Sequence, residues 1–170
     1  MDYTLHRVRA DDWRQCRSLR LQMLRDTPLA YLETVEEALQ YPDSEWQFRS
    51  SRSASTGNIG VATVGPDGTW VGAMNGFLPE RGTAKLVGVW LHPGHRGPAG
   101  GVAGLMLDEI VRWAREDAAA SRLALLIHED NHRAIAFYRR SRFVLSGRTE
   151  PYPLDECSSE LETELTLDPS

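Results

Sequence analysis

The stretch from about Ala84 to Ile127 limits the architecture more than any other part of this chain. Leu86-Val87-Gly88-Val89-Trp90-Leu91 is an apolar strand. It runs into His92-Pro93-Gly94-His95-Arg96-Gly97-Pro98-Ala99-Gly100-Gly101, a turn rich in Gly, Pro and Arg, and an amphipathic segment continues to about Ala120. Val102, Met106, Ile110 and Trp113 fall along one face of that segment, with Asp108, Arg112 and Arg115 elsewhere, so it is expected to be a helix. Leu123-Ala124-Leu125-Leu126-Ile127 is then apolar on both faces, the pattern of a buried strand paired in parallel. Strand, helix and strand in that order make a βαβ unit with a right-handed crossover. The turn is phosphate-sized. Glycine-freed backbone N–H groups and the positive end of a helix dipole make an anion site there without a lysine.

The flanking chain is read around this unit. Thr4 to Arg9 alternates loosely and suits a first strand. Asp11 or Asp12 can cap a helix carrying Cys16, Leu19 and Met23 on one stripe, which Asp26-Thr27-Pro28 ends. On that stripe Cys16 reads as a small buried hydrophobe. Thr34-Val35-Glu36-Glu37 and Ser44-Glu45-Trp46-Gln47 both have capping-box spacing, predicting a short turn or helix at 34–40 and a helix from about Glu45 to Ser53. Glu33, Glu36, Glu37, Asp43 and Glu45 form an acidic lip, read as helix-end carboxylates facing water in preference to a trap for a cationic amine. Asn58–Val64 and Trp70–Leu78 flank Gly65-Pro66-Asp67-Gly68-Thr69 and predict an antiparallel hairpin, with the strand at 84–91 as its third antiparallel neighbour. Asn131 opens a helix to about Arg140, Phe143–Leu145 is a strand, Pro151 and Pro153 mark a loop, and Glu160–Leu167 suits a last strand.

Composition narrows the class of partner. A net charge of −5 with no long basic run excludes nucleic acid as the main partner. No apolar run approaches the roughly 20 residues of a membrane span, and Met1 to Arg7 is too polar for a signal peptide. The two cysteines, Cys16 and Cys157, form no C-x-x-C motif, which argues against a disulfide framework or zinc site. The expectation is a single cytoplasmic domain over residues 1–170, without metal.

A second motif gives the turn its meaning. Leu123 to Ile127, then Asn131, Ala134, Phe137-Tyr138 and Phe143, resembles the second signature of the Gcn5-related N-acetyltransferase (GNAT) superfamily. The stretch from Leu86 to Ala103 looks like that family's acetyl-CoA pyrophosphate loop, in the right order and about thirty residues away. The resemblance covers nearly the whole chain and implies an α/β (α+β) fold. Its expected form is a mixed, mostly antiparallel central sheet of six to seven strands, flanked by about four helices and splayed between the strands at 84–91 and 123–128. It implies acetyl-CoA as co-substrate, in contact with Trp90, Leu91, Arg96, Gly97, Gly100, Gly101, Val102, Ala103, Asn131, Phe137 and Tyr138. The pantetheine arm would use unpaired backbone groups near Trp90 and Leu91, and the pyrophosphate the N–H groups between Arg96 and Ala103. The partner would be a primary amine of a small molecule or peptide, acetylated by direct transfer; a homodimer is common in the superfamily. A catalytically silent acyl-CoA-binding or sensor module of the same fold is the alternative.

Acyl transfer to an amine needs the amine neutral, whereas an alkyl ammonium is mostly protonated near pH 7. A carboxylate or water chain must take that proton, and the departing thiolate benefits from receiving one. Tyr138 matches the family's general acid; without the motif it reads as a half-buried aromatic on the helical face of Ala134 and Ile135. Asn131 either bonds the pantetheine or caps its helix, and the two roles are compatible. The base has no assigned residue, because the strand at 84–91 carries only Lys85 where many members have Glu; Glu33, His128, Glu129 and Asp130 are candidates. His92 and His95 read as loop or phosphate-side residues. The chain departs from the family in a loop about two residues longer, with Pro98 removing an N–H donor, and in Arg142 standing where Gly commonly precedes Phe143. A left-handed Arg142 would cost of order 1 kcal/mol relative to Gly.

Overall fold

The hairpin expected at 58–78 forms, and the sheet extends outward from it on both sides. The computed structural model describes residues 2–28, 30–97 and 101–168. In chain order these make β1 (Thr4–Arg7), α1 (Trp13–Asp26), α2 (Val35–Gln40), α3 (Asp43–Ser53), β2 (Asn58–Val64), β3 (Trp70–Glu80), β4 (Thr83–Leu91), α4 (Gly101–Arg112), β5 (Arg122–His128), α5 (His132–Arg140), β6 (Val144–Tyr152) and β7 (Asp155–Thr166). The seven strands lie in the order β1-β2-β3-β4-β5-β7-β6, and every neighbouring pair is antiparallel except β4 with β5. That single parallel pair is the βαβ unit predicted from the pattern of apolar residues.

Both faces of the sheet are covered near its centre. Met106 and Ile110 of α4 are fully buried, and Val102, Leu107 and Trp113 nearly so, against Ile59, Val61, Met74, Leu86, Leu123 and Leu125. Each such side chain contributes about 1.5–3 kcal/mol on burial. Beyond Arg112 the helix widens to a π-turn over Trp113–Asp117, which sets the Trp113 ring against Gly76. The opposite face is packed by α1 and α3. There Trp13, Leu24, Ala38 and Trp46 form one cluster, and Leu19, Met23 and Trp90 another. Cys16 points inward with its thiol 3.7 Å from the Ser50 hydroxyl, and burial pushes its pKa up, so it stays an inert thiol.

Local chemistry explains where elements start and stop. The Thr34–Glu37 capping box is formed: the Glu37 N–H donates to the Thr34 hydroxyl at 3.2 Å and the Thr34 N–H to Glu37 at 2.8 Å. The second capping box is not formed. α3 begins at Asp43 behind Pro42, whose fixed φ already suits a helix entry, so Ser44 lies inside the first turn. The loop expected around Pro151 and Pro153 is also corrected. β6 runs through Pro151, paired with Ser159, and β6 and β7 form a hairpin turning at Tyr152–Asp155. β6 is an edge strand, where a residue without an N–H is tolerated.

α5 ends in a Schellman turn with an arginine in the glycine position. Arg142 has φ 70°, its N–H donates to the Arg139 carbonyl, and the Phe143 N–H donates to the Tyr138 carbonyl at 3.0 Å. Arg142→Gly is therefore expected to stabilise the fold by about 1 kcal/mol, raising Tm in calorimetry by roughly 2–4 °C.

Candidate active site

The parallel pair that closes the βαβ unit is short. β4 and β5 are in register only from Thr83–Arg122 to Lys85–Ala124. Beyond that row β5 follows β7 as far as His128 and Glu160, while β4 stays with β3 as far as Leu91. The two strands part, so β4 from Leu86 to Leu91 has no strand partner on its β5 side. A strand edge of this kind offers backbone donors and acceptors to an extended ligand.

A bulge disturbs β4 at the opening. Asn75 pairs with Val87 and Ala73 with Trp90, so Gly88 and Val89 together oppose Met74. Gly88 has φ +59°, and a side chain there would meet the Asn75 amide at 2.9 Å. The Val89 carbonyl accepts a hydrogen bond from the Tyr31 hydroxyl at 3.0 Å. Tyr31 lies between α1 and α2, so that segment is tied directly to the bulge. Burial raises the Tyr31 pKa to about 12, and it remains a neutral donor.

Tyr138 of α5 lies close enough to Tyr31 to feel its charge. It is 3% exposed, and its hydroxyl is buried without a hydrogen-bond partner. Burial pushes its pKa well above the ordinary phenol value, with Tyr31 adding to the shift. Phe137 and Phe143 hold the ring edge-on at centroid distances of 5.0 and 5.3 Å. The Schellman turn fixes Phe143 on Tyr138 from the backbone side. A phenol kept neutral and unclaimed can give its proton to a leaving group placed in the wedge.

Asp26 organises the end of β4 and the loop after it. Its carboxylate accepts from the Trp90 indole N–H at 2.8 Å, from Arg96 at 2.5 Å and from the Thr27 hydroxyl at 3.0 Å. Arg96 also donates to the Leu91 carbonyl at 2.6 Å. Arg96 is thus a latch on the loop's entry, and the side chain of Trp90 is core; what Trp90 offers the wedge is its backbone. These donors hold the Asp26 carboxyl below the usual carboxylate range despite partial desolvation. A lowered folded pKa means that this contribution is present above the unfolded value and is lost as pH falls through the folded one. Asp26→Ala leaves the buried indole N–H unmet, and is expected to cost about 1–2 kcal/mol in denaturant unfolding.

Gly97 is exposed; Gly101 opens α4, Val102 is buried beneath it and Ala103 half-buried. Gly100, with Pro98 and Ala99, lies outside the described residues. Asn131 caps α5, its side chain accepting from the Ala134 N–H at 3.1 Å. Among the described residues no group of His, Cys, Asp and Glu is arranged to hold a metal ion.

The model of the Acetyltransferase (GNAT) family matches residues 17–143. The chain belongs to this acetyltransferase family. Solved GNAT structures share its fold at low identity. An acetyltransferase of the GNAT family from Streptococcus pneumoniae superposes with TM-score 0.83 at 15% identity, covering 98% of this chain and 100% of that one. Spermidine N-acetyltransferase from Vibrio cholerae, in complex with CoA and spermine, gives 0.75 at 13%, covering 97% and 95%. PaiA N-acetyltransferase from Thermoplasma acidophilum, in complex with coenzyme A, gives 0.73 at 15%, covering 98% and 99%. No curated protein matches the sequence.

Within this GNAT fold the sequence-derived base candidates separate. Glu33 does not face water as part of an acidic lip. Its side chain is 9% exposed and clamped by Arg20 and Arg49, each at 2.9 Å, which holds its pKa down and leaves it a poor base. Glu129 accepts the Ser159 N–H at 2.8 Å. Asp130 is exposed. His128 stands on the β5–β7 face with Tyr152 edge-on at 4.7 Å. Asp26, Tyr31 and the Gly88 bulge escaped the sequence reading, because their partners lie 64, 58 and about 14 positions away.

Proposed function

We propose that this GNAT chain, acting as a single domain, transfers the acetyl group of acetyl-CoA to a primary amine within a ternary complex. The observation that carries this reading is the buried, unpartnered Tyr138 hydroxyl, which feels the charge of Tyr31, itself bonded to the Val89 carbonyl on the unpaired part of β4. Pantetheine amides would bond that edge around Trp90 and Leu91. The phosphates would lie at the N–H groups following Arg96 and at the head of α4, where Gly101 to Ala103 begin a twelve-residue helix. Phe137 would pack beside the thiol arm, and Asn131 would hold the start of α5 in place. Solved members of the fold in complex with CoA support the same reading.

The residues divide the chemistry. Backbone N–H groups at the Gly88–Val89 bulge would stabilise the thioester carbonyl oxygen, where charge develops as the amine attacks. Tyr138 supplies a proton to the departing sulfur, so that a thiol and not a thiolate leaves. Tyr31 holds the bulge in register. The test is free-thiol release on mixing the protein with acetyl-CoA and a panel of primary amines. Amine-dependent release above background is the expected result. CoA-induced stabilisation with no turnover for any amine would instead identify a silent binding module.

A further inference from the structure

The proton of the acceptor amine needs a carboxylate to receive it, and one face of the sheet carries a row of them. This inference rests on the acetyl-transfer reading above. Cross-strand partners share a sheet face. Ala124–Glu164, Leu126–Glu162 and His128–Glu160 therefore stand in three successive rows of one face, about 6.8 Å apart. Lys85 joins the first row, and Glu150 joins the third directly opposite Glu160. The second and third rows lie beyond the point where β4 leaves β5, so they border the wedge.

The three glutamates of β7 are not equivalent. Glu164 is paired with Arg122 at 2.8 Å and Glu162 with Lys85 at 3.1 Å. Glu160 has no ion pair among the described residues, although a like charge stands opposite it, an arrangement that is destabilising by itself. Glu162 adds an independent sign of a missing donor. It is 4% exposed, yet its Oε1 is buried with no hydrogen bond of full geometry, although the Ser146 hydroxyl lies close enough to the carboxylate to help hold its charge. A buried carboxylate oxygen left unmet is costly, and a cationic N–H donor would satisfy it.

We infer that the acceptor's ammonium binds on this face, held by Glu162 Oε1, and that Glu160 takes its proton. The ammonium gives one proton to the Glu160 carboxylate and becomes a neutral amine. Its lone pair forms the C–N bond as the C–S bond breaks, and Tyr138 protonates the sulfur. The surplus proton on nitrogen restores the tyrosine, and Glu160 releases its proton to solvent. The groups facing Glu160 fit this role. Partial burial and then Glu150 raise its affinity for a proton, His128 opposes them, Tyr152 flanks the row from β6, and Lys85, Ser146 and Arg148 act on Glu162 next to it.

The experiment measures pH–rate profiles and amine KM for wild type, Glu160→Gln, Glu150→Gln and Glu162→Gln, with n-butylamine, 1,4-diaminobutane and phenethylamine as probes. Glu160→Gln is expected to lower kcat near pH 7 by roughly 10²-fold, with recovery as pH rises toward the amine pKa. Glu150→Gln should move the acidic limb to lower pH. Glu162→Gln should raise amine KM at least tenfold while acetyl-CoA KM is unchanged. A Glu160→Gln profile superimposable on wild type, or unchanged amine KM in Glu162→Gln, overturns the inference. If wild type transfers no acetyl group, the acetyl-transfer reading itself falls. Calorimetric titration of the same amines then decides the site: binding lost in Glu162→Gln supports it, and equal or absent binding in both proteins overturns it.

Discussion

Tyr138→Phe lowers kcat for acetyl transfer by roughly 10²–10⁴-fold, with acetyl-CoA KM nearly unchanged. The substitution removes only the hydroxyl, which is buried and makes no hydrogen bond in the fold. Deleting an unsatisfied buried polar group leaves stability unchanged or raises it by about 1 kcal/mol. Loss of turnover with an undiminished Tm is the signature of a proton donor. A purely structural Tyr138 would leave kcat as well as Tm at the wild-type value, because Phe keeps the ring packed against Phe137 and Phe143, and steady-state kinetics beside calorimetry separates the two. The effect should shrink for acyl donors with better leaving groups, since those need less protonation.

Gly88→Val is expected to have the second-largest effect, and on both stability and turnover. A β-branched residue at φ +59° is strained, and its Cβ would lie 2.9 Å from the Asn75 amide. The loss is about 2–3 kcal/mol if the bulge persists. If the bulge flattens, the strain is relieved, but Val89 and Trp90 shift along the strand and the Tyr31–Val89 bond is lost. Either way the groups at the thioester carbonyl move, and kcat should fall by at least 10²-fold, the scale of one lost oxyanion donor. Urea unfolding and kcat measured on the same variant report the two routes. Wild-type values in both would show that neither the conformation of Gly88 nor the bulge matters.

Much of the scaffold could be read from local pattern. The apolar stripe of α4, the apolar run Leu123–Ile127 of β5, the 58–78 hairpin and the Thr34 capping box are each encoded within a few residues, and each forms as expected. Arg142 is the sharpest case: it stands where the resembled family commonly has Gly before Phe, and it adopts the left-handed conformation that Gly favours. Misreadings came where a local signal met a tertiary condition. Pro151 reads as a loop residue, but on an edge strand its missing N–H faces no partner and the strand continues. Glu33 reads as a solvated carboxylate until Arg20 and Arg49 are folded onto it.

By itself, the sequence determined the family-like frame: a strand, a glycine-rich turn, a helix, a parallel strand and a Tyr-bearing helix, in that order. It did so because helix and strand periodicity, capping and turn chemistry act over ten residues or fewer. Only the tertiary structure decided the chemistry around that frame. The early parting of β4 and β5, the Asp26 carboxylate shared by Trp90 and Arg96, and the Tyr31 bond to the bulge all join residues far apart in sequence. The row of His128, Glu160 and Glu150 exists only through strand register. A charge is stabilised or left unmet by whatever the folded chain brings near it, and no spacing along the chain records that.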